Sequence, residues 1–427
     1  MSKKFKKLSH FLSKNRFLVV VWIIFLFELF LRFYQIQEKN PFGYDQVDNA
    51  WAAKNIIINH WYPLVGMVAK GNSGIYIGPA YYYLVAIFYW FTNLSPIASG
   101  LLAGATSIFS FWVIYFVTSR IINREVALIA IIINTFNFNA IYFFDRIQWP
   151  VNFIPAVSLL IFYFLYRVTQ GEVKKLIPLA IAVGFMFHIH FTAVFFPIII
   201  LLSIPLFPRT RETIKYALIS LPFFLIWLLP NAIYMLVNKS ASGTSYFENN
   251  YHGFHLKRAY QIVGDAFIQF NHFLLFDNLI KFKLFIPIIF LIVYIKRTKA
   301  QDKFKLIYLI ALWFLVPWAI FTTYSGEISD YYFATTRFIA LLMLSYLIYS
   351  VWALRNIIAK VFVAALIGAY AIYNFIIFFP YRHTSLAKRE PEIIQDVAQS
   401  KRVEFTQGAP ESYLYYYYMR QKGVNVY

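Results

Sequence analysis

Phe17-Leu18-Val19-Val20-Val21-Trp22-Ile23-Ile24-Phe25-Leu26-Phe27 contains no polar side chain, and the apolar run continues to Leu31 with only Glu28 inside it. A helix of about 20 such residues crosses a hydrocarbon core of about 30 Å. Comparable stretches return at Leu306 to Thr322 and Val361 to Phe379 and along nearly the whole chain of 427 residues. Of these residues 60% are hydrophobic and 14% charged, against about 25% charged in soluble domains. The membrane is therefore the solvent for most of the fold. The runs are apolar all round and lack the alternation of a transmembrane barrel, so the expectation is an all-α polytopic bundle.

Eleven spans are expected, near 17–36, 97–119, 126–144, 150–167, 176–190, 192–207, 215–237, 284–295, 306–323, 332–354 and 358–380. The net charge of +20 reads as loop asymmetry rather than as a nucleic-acid surface. Five alternate loops carry Arg120 and Arg124; Arg167, Lys174 and Lys175; Arg209, Arg211 and Lys215; Lys296 to Lys305; and Arg355 and Lys360. The short loops between them carry only Arg146. This parity places the N-terminus, with Lys3, Lys4, Lys6, Lys7, Lys14 and Arg16, in the cytoplasm as the flank of an uncleaved first helix, and the C-terminus outside. It holds only if the aromatic segment Tyr76 to Phe91 lies in the interface or re-enters. Residues 1–380 then form one membrane domain with long external loops at 35–95 and 238–283, followed by a short external tail, 381–427, with one helix from about Pro391 and a Tyr-rich stretch. The absence of cysteine excludes disulfides, thiolate metal sites and a thiol nucleophile.

The spans lack the midplane carboxylates of a transporter, Glu28 being matched by Arg32 at i+4. Ionisable groups collect instead in external loops, most densely in Gly43-Tyr44-Asp45-Gln46-Val47-Asp48-Asn49-Ala50-Trp51. Asp45 and Asp48, at i and i+3 of a nascent helix, point to one side. Near a low-dielectric boundary their charged forms are destabilised, which raises their basicity toward that needed to take a proton from a hydroxyl. The same positions suit a helix cap and first turn. His252 and His255 share a spacing that suits zinc, with His272 further on, but no closing ligand is identifiable, so no metal set is defined.

At this cluster the sequence resembles the GT-C glycosyltransferases that use lipid-phosphate sugars, in particular the branch of bacterial aminoarabinose transferases and protein O-mannosyltransferases. The likeness runs in order through Leu31-Arg32-Phe33-Tyr34, the acidic motif at Tyr44 to Ala50, and Gly78-Pro79-Ala80-Tyr81-Tyr82-Tyr83-Leu84. It continues through Phe144-Asp145-Arg146-Ile147-Gln148-Trp149-Pro150, Gly184 to Ala193 with His188 and His190, and Asp330-Tyr331-Tyr332-Phe333. Gln46 stands where many relatives carry a second acid, and Ile77-Gly78 where a lysine often precedes the Pro-aromatic segment.

The resemblance implies a GT-C-type bundle with juxtamembrane helices in the first external loop. It implies inverting transfer of a sugar from a polyprenyl phosphate to a hydroxyl or amine of a lipid, glycan or protein outside the cytoplasmic membrane. Asp45 is then the general base and Asp48, Asp330 and Tyr331 contact substrate. Arg146 and His190, with His188 and Lys70 behind them, bind the donor phosphate. Arg146 also suits a bond to Asp145 or to a lipid headgroup, the histidines interfacial hydrogen bonds, and the tyrosines an interfacial belt. The competing reading is a carrier or flippase for lipid-linked sugars, which needs a polar path through the bilayer. A ligase or polymerase of lipid-linked glycans would differ only in the size of donor and acceptor.

Overall fold

A computed structural model describes residues 16–68, 73–238, 248–274, 283–298, 303–381, 386–399, 409 and 411–423. Among these residues there is no strand, only two isolated bridges, Val68 with Tyr76 and Tyr251 with Tyr324. The helices, in order, are α1 (Arg16–Phe33), α2 (Tyr44–Ile58), α3 (Ala80–Phe91), α4 (Ile97–Ile121), α5 (Arg124–Phe136) and α6 (Ile154–Thr169). They continue as α7 (Leu176–Met186), α8 (Phe195–Ser203), α9 (Arg211–Asn238), α10 (Phe285–Arg297), α11 (Lys303–Phe321), α12 (Arg337–Trp352) and α13 (Ile357–Phe378). Two tail helices follow, α14 (Leu386–Ala398) and α15 (Ser412–Gln421).

Among the described residues, six helical segments are long and apolar enough to cross a membrane alone, and α5 with Phe138–Asp145 makes a seventh bent by 57°. The other four expected spans are shorter or carry more charge. α7 and α10 have 11 and 13 residues, which span about 17 and 20 Å, and α1 carries Arg16, Glu28 and Arg32 in 18 residues. Helix α3, with 12 residues, covers about 18 Å, well under a bilayer core.

Close approach of α1 to α4 depends on missing side chains. A Cβ on Gly104 would sit 2.5 Å from the Phe33 ring, and one on Gly100 2.6 Å from Ile36. The surrounding α4 face, Ala98, Ser99, Ala103, Thr106, Ser107 and Ser110, is small and buried, as helix contacts in lipid require. On that seam the predicted Glu28–Arg32 pair is present at 3.1 Å. Ser107 joins it, accepting from Arg32 Nε at 3.0 Å and donating to Glu28 at 2.6 Å.

The bend after α5 has a polar cause. Asn137 Oδ1 accepts from Ala140 N at 2.6 Å, and Asn374 Oδ1 on α13 accepts from Phe138 N at 2.9 Å. Backbone groups freed by the break are thus satisfied where an unpaired one costs several kcal/mol. The redirected chain runs through a π turn, Ile141–Asp145, and brings Asp145 and Arg146 back onto α1. Lys39 closes the far end of α13, donating to Phe378 O, Phe379 O and Tyr381 O at 2.8–3.0 Å.

The tail departs from the expected single helix. Its first helix begins at Leu386, and the Tyr-rich stretch is itself helical because Tyr413, Leu414 and Tyr416 are buried. Tyr413 packs edge-on and Tyr416 tilted against Trp51 of α2, with ring centres 5.5 and 5.1 Å away. In contrast, α9 is mostly exposed along its 28 residues, the pattern of a helix facing lipid.

Candidate active site

The turn Pro41-Phe42-Gly43 opens α2, and Gly43 N donates to Gln46 Oε1 at 3.0 Å. Gln46 Nε2 in turn donates to Gln148 O at 2.8 Å. Both halves of this amide are used, and a carboxylate there could not donate to that carbonyl. Asp45 and Asp48 lie one turn apart and are exposed. Tyr82 donates to Asp48 Oδ2 at 2.9 Å, and Tyr81 accepts from Gln148 Nε2 at 2.8 Å. The Asp45 carboxylate has no hydrogen bond or ion pair among the described residues. Partial burial pushes it above the ordinary aspartate range and the charge of Asp48 adds to this. Burial raises Asp48 too, with the Tyr82 hydrogen bond opposing.

Arg146 is fully buried and occupied: it donates to Tyr34 O at 2.8 Å, Asn40 Oδ1 at 3.0 Å and Leu31 O at 3.4 Å. Asn40 Nδ2 returns a bond to Arg146 O at 2.7 Å. The guanidinium therefore ties the end of α1 to the loop before α6. Its neighbour Asp145 accepts from Arg32 at 2.5 Å, so the expected Asp145–Arg146 pairing is replaced by one to α1.

His188 is likewise used at both nitrogens. Nδ1 accepts from Ala80 N at 3.0 Å, which makes Nε2 the protonated nitrogen facing Trp227 O at 2.6 Å. Gly78 is required beneath it, because a Cβ there would lie 2.2 Å from the ring. The Pro-aromatic segment is thereby seated on the α7 turn, with Gly78 N donating to Phe187 O at 3.0 Å. His190 is buried, with Nδ1 3.1 Å from Thr192 Oγ1, and packs against Tyr331 and Tyr332. Tyr331 also meets Trp149, at 5.5 Å.

Beyond this aromatic wall, Asp330 Oδ2 stands 3.5 Å from His272 Nε2. His272 packs edge-on to Phe144, and the guanidinium of Arg337 lies 3.9 Å from the centre of the same ring. Arg337 is 2% exposed, yet makes no hydrogen bond or ion pair among the described residues, and its Nε is orphaned. Gln269 Oε1 and Asn271 Oδ1, on the same short turn as His272, are orphaned as well. Buried polar groups left unpaired carry a desolvation cost of about 1–3 kcal/mol, more when charged.

Arg337 was not among the sequence candidates. Its signal was available: it is a basic residue at the head of an apolar segment on the side where basic residues are scarce. Lys70 lies outside the described residues. His252 and His255 are exposed while His272 turns to Asp330. Among the described residues no three His, Asp or Glu side chains are grouped to hold a metal.

One loop connects these parts. Gln148 contacts the α2–α3 pair, Trp149 meets Tyr331, and Phe144 carries Arg337 and His272. Residues 144–149 thus link the α2–α3 pair that carries Asp45 and Asp48 to the His190–Tyr331 and His272–Asp330 groups, which together make the candidate mouth, whereas Arg146 and His188 are hydrogen-bonded to neighbouring elements.

No protein-family model matches the sequence and no curated protein matches it. Solved structures do match. ArnT from Cupriavidus metallidurans bound to undecaprenyl phosphate aligns over 94% of this chain and 84% of its own, at 10% identity and TM-score 0.58. Its apo state gives 11% identity and TM-score 0.59. The archaeal oligosaccharyltransferase AglB from Archaeoglobus fulgidus, in complex with an inhibitory peptide and a dolichol-phosphate, aligns over 95% of this chain at 13% identity and TM-score 0.56. This chain spans 60% of the length of AglB. What these structures share with this chain is the fold.

Proposed function

We propose that this chain of GT-C fold is a membrane glycosyltransferase that moves a sugar from a polyprenyl-phosphate donor to a hydroxyl or amine at the outer face of the membrane. The observation that carries the reading is the contrast in partnering at the mouth. Arg146 and His188 are consumed by structure, while an accessible carboxylate, Asp45, and a buried guanidinium, Arg337, make no hydrogen bond or ion pair among the described residues. The solved ArnT and AglB structures hold undecaprenyl phosphate and dolichol-phosphate, respectively, which supports a lipid phosphate as the donor class here.

In this reading the acceptor oxygen or nitrogen attacks the anomeric carbon as Asp45 takes its proton. The bond from that carbon to the phosphate oxygen breaks, and the electron pair leaves with the lipid phosphate, inverting the centre. Arg337 offers a forked donor to the charge that grows on the phosphate. Asp330, Tyr331 and His190 border the sugar, and Asp48 holds Tyr82 against the base.

Asp45→Asn tests the assignment, with sugar transfer followed by mass spectrometry and donor retention measured by lipid co-purification. Transfer should fall by about 10²- to 10⁴-fold with donor still bound. Undiminished transfer would remove Asp45 as base, and lipid translocation without any transfer would remove the enzyme class.

A further inference from the structure

Toward the opposite end of α12 from Arg337 lies a cavity of about 680 Å³, lined by Asn123, Tyr166, Tyr294, Arg297, Tyr346 and Tyr349 among others. Helix α12 begins at Arg337, and its residues lining this cavity start at Tyr346, nine residues later, a separation along the helix of about 14 Å at the near edge and about 24 Å at Ala353. It is therefore distinct from the mouth described above. The loops at this end are the basic ones, with Arg120, Arg124, Arg167 and Lys296, so by the loop-charge rule it faces the cytoplasmic headgroups.

The lining has a definite charge character. Among the described residues it contains one cation, Arg297, no carboxylate, four phenols and the polar side chains Asn123, Thr298 and Ser350. Arg297 is exposed and makes no hydrogen bond or ion pair among the described residues. Its position in the last turn of α10 favours the helix dipole, but that role needs neither a cavity nor a ring of tyrosines. Ligand sites usually enclose about 300–1,000 Å³, and basic pockets between helices on the cytoplasmic side suit lipid head groups.

We infer that this cavity binds the phosphodiester head group of an anionic glycerophospholipid of the cytoplasmic leaflet. One guanidinium matches one phosphodiester charge, its fork fits two phosphate oxygens, and the phenols serve the hydroxyls of the head group. The inference does not depend on the proposed transfer reaction.

The test uses the full chain in phosphatidylcholine vesicles doped with phosphatidylglycerol, released into native mass spectrometry. The wild type should retain one phosphatidylglycerol, and Arg297→Ala should lower that occupancy by about tenfold, a change of about 1.4 kcal/mol. Arg297→Lys should restore part of it, and Tyr349→Phe should weaken it with no change of charge. Arg124→Ala, which removes an exposed cation outside the lining, should leave occupancy unchanged. Equal retention by Arg297→Ala overturns the site, and equal loss in Arg124→Ala reduces it to general surface attraction. Displacement of the lipid by inorganic phosphate alone would make a soluble anion the ligand and overturn the lipid assignment.

Discussion

Asp45 and Arg337 share a property that Arg146 and His188 lack: among the described residues neither side chain makes a hydrogen bond. For Asp45 the consequence is a pH dependence with a definite sign. A base works only when deprotonated, so transfer should rise as pH rises through its pKa, and burial and Asp48 place that limb above the ordinary aspartate range. Asp48→Asn removes the like charge and should move the acid limb of kcat/KM to lower pH; an unmoved limb would mean that another group titrates. For Arg337, replacement by alanine should lower kcat/KM by about 10²- to 10³-fold, the usual effect of losing a donor to a developing oxyanion. Lysine should recover only part, because it supplies the charge without the planar fork. Co-purifying lipid phosphate should fall in parallel, and full retention of both activity and lipid would end this role.

Helix α2 is held from both sides of its length, and the tail does much of the holding. Arg389 of α14 donates to Phe42 O at 2.8 Å, just before the acidic motif, and Tyr413 of α15 donates to Leu94 O at 3.0 Å, just after α3. Between them, Trp51 Nε1 donates to Ser412 Oγ at 3.0 Å. Each such bond is worth about 0.5–1.5 kcal/mol, so Arg389→Ala with Tyr413→Phe should loosen the tail by about 1–3 kcal/mol without unfolding the bundle. Hydrogen exchange should then accelerate in residues 386–398 and at the start of α2, while α4 and α6 keep their protection. Unchanged exchange in α2 would show that the tail does not fasten it. These fasteners were out of reach of sequence reading: a tail of about one helix looks too small to hold a core, and only docking on α2 provides the missing partner surface.

At the level of the molecule, the charges of the loops assign an orientation that the chain is well suited to test. Having no cysteine, it accepts single probes without background. Trp61→Cys, at an exposed site of the first long loop, should react with a membrane-impermeant thiol reagent in intact cells, and Thr210→Cys, exposed between α8 and α9, only after permeabilisation. The reverse pattern would invert the orientation. Solvent class, helical architecture, the place of the acidic motif and the Glu28–Arg32 pair were all legible in the sequence, because hydropathy and i,i+4 spacing act within one helix and need no knowledge of neighbours. Asp45 was legible for the same reason, as the head of a local motif. What Arg146, His188 and Arg337 do was not. Three basic groups of similar sequence context end with both His188 nitrogens filled, Arg146 spent on carbonyls of the α1 end, and Arg337 unpaired against Phe144. Their partners lie more than 30 residues away, except where a ring simply stacks, and the bend at Asn137 decides which of them face one another. Local chemistry determined the helical fold class and the place of the acidic motif, whereas which cations are hydrogen-bonded was decided only by packing, since a donor is free or consumed according to which carbonyls the tertiary fold brings within about 3 Å of it.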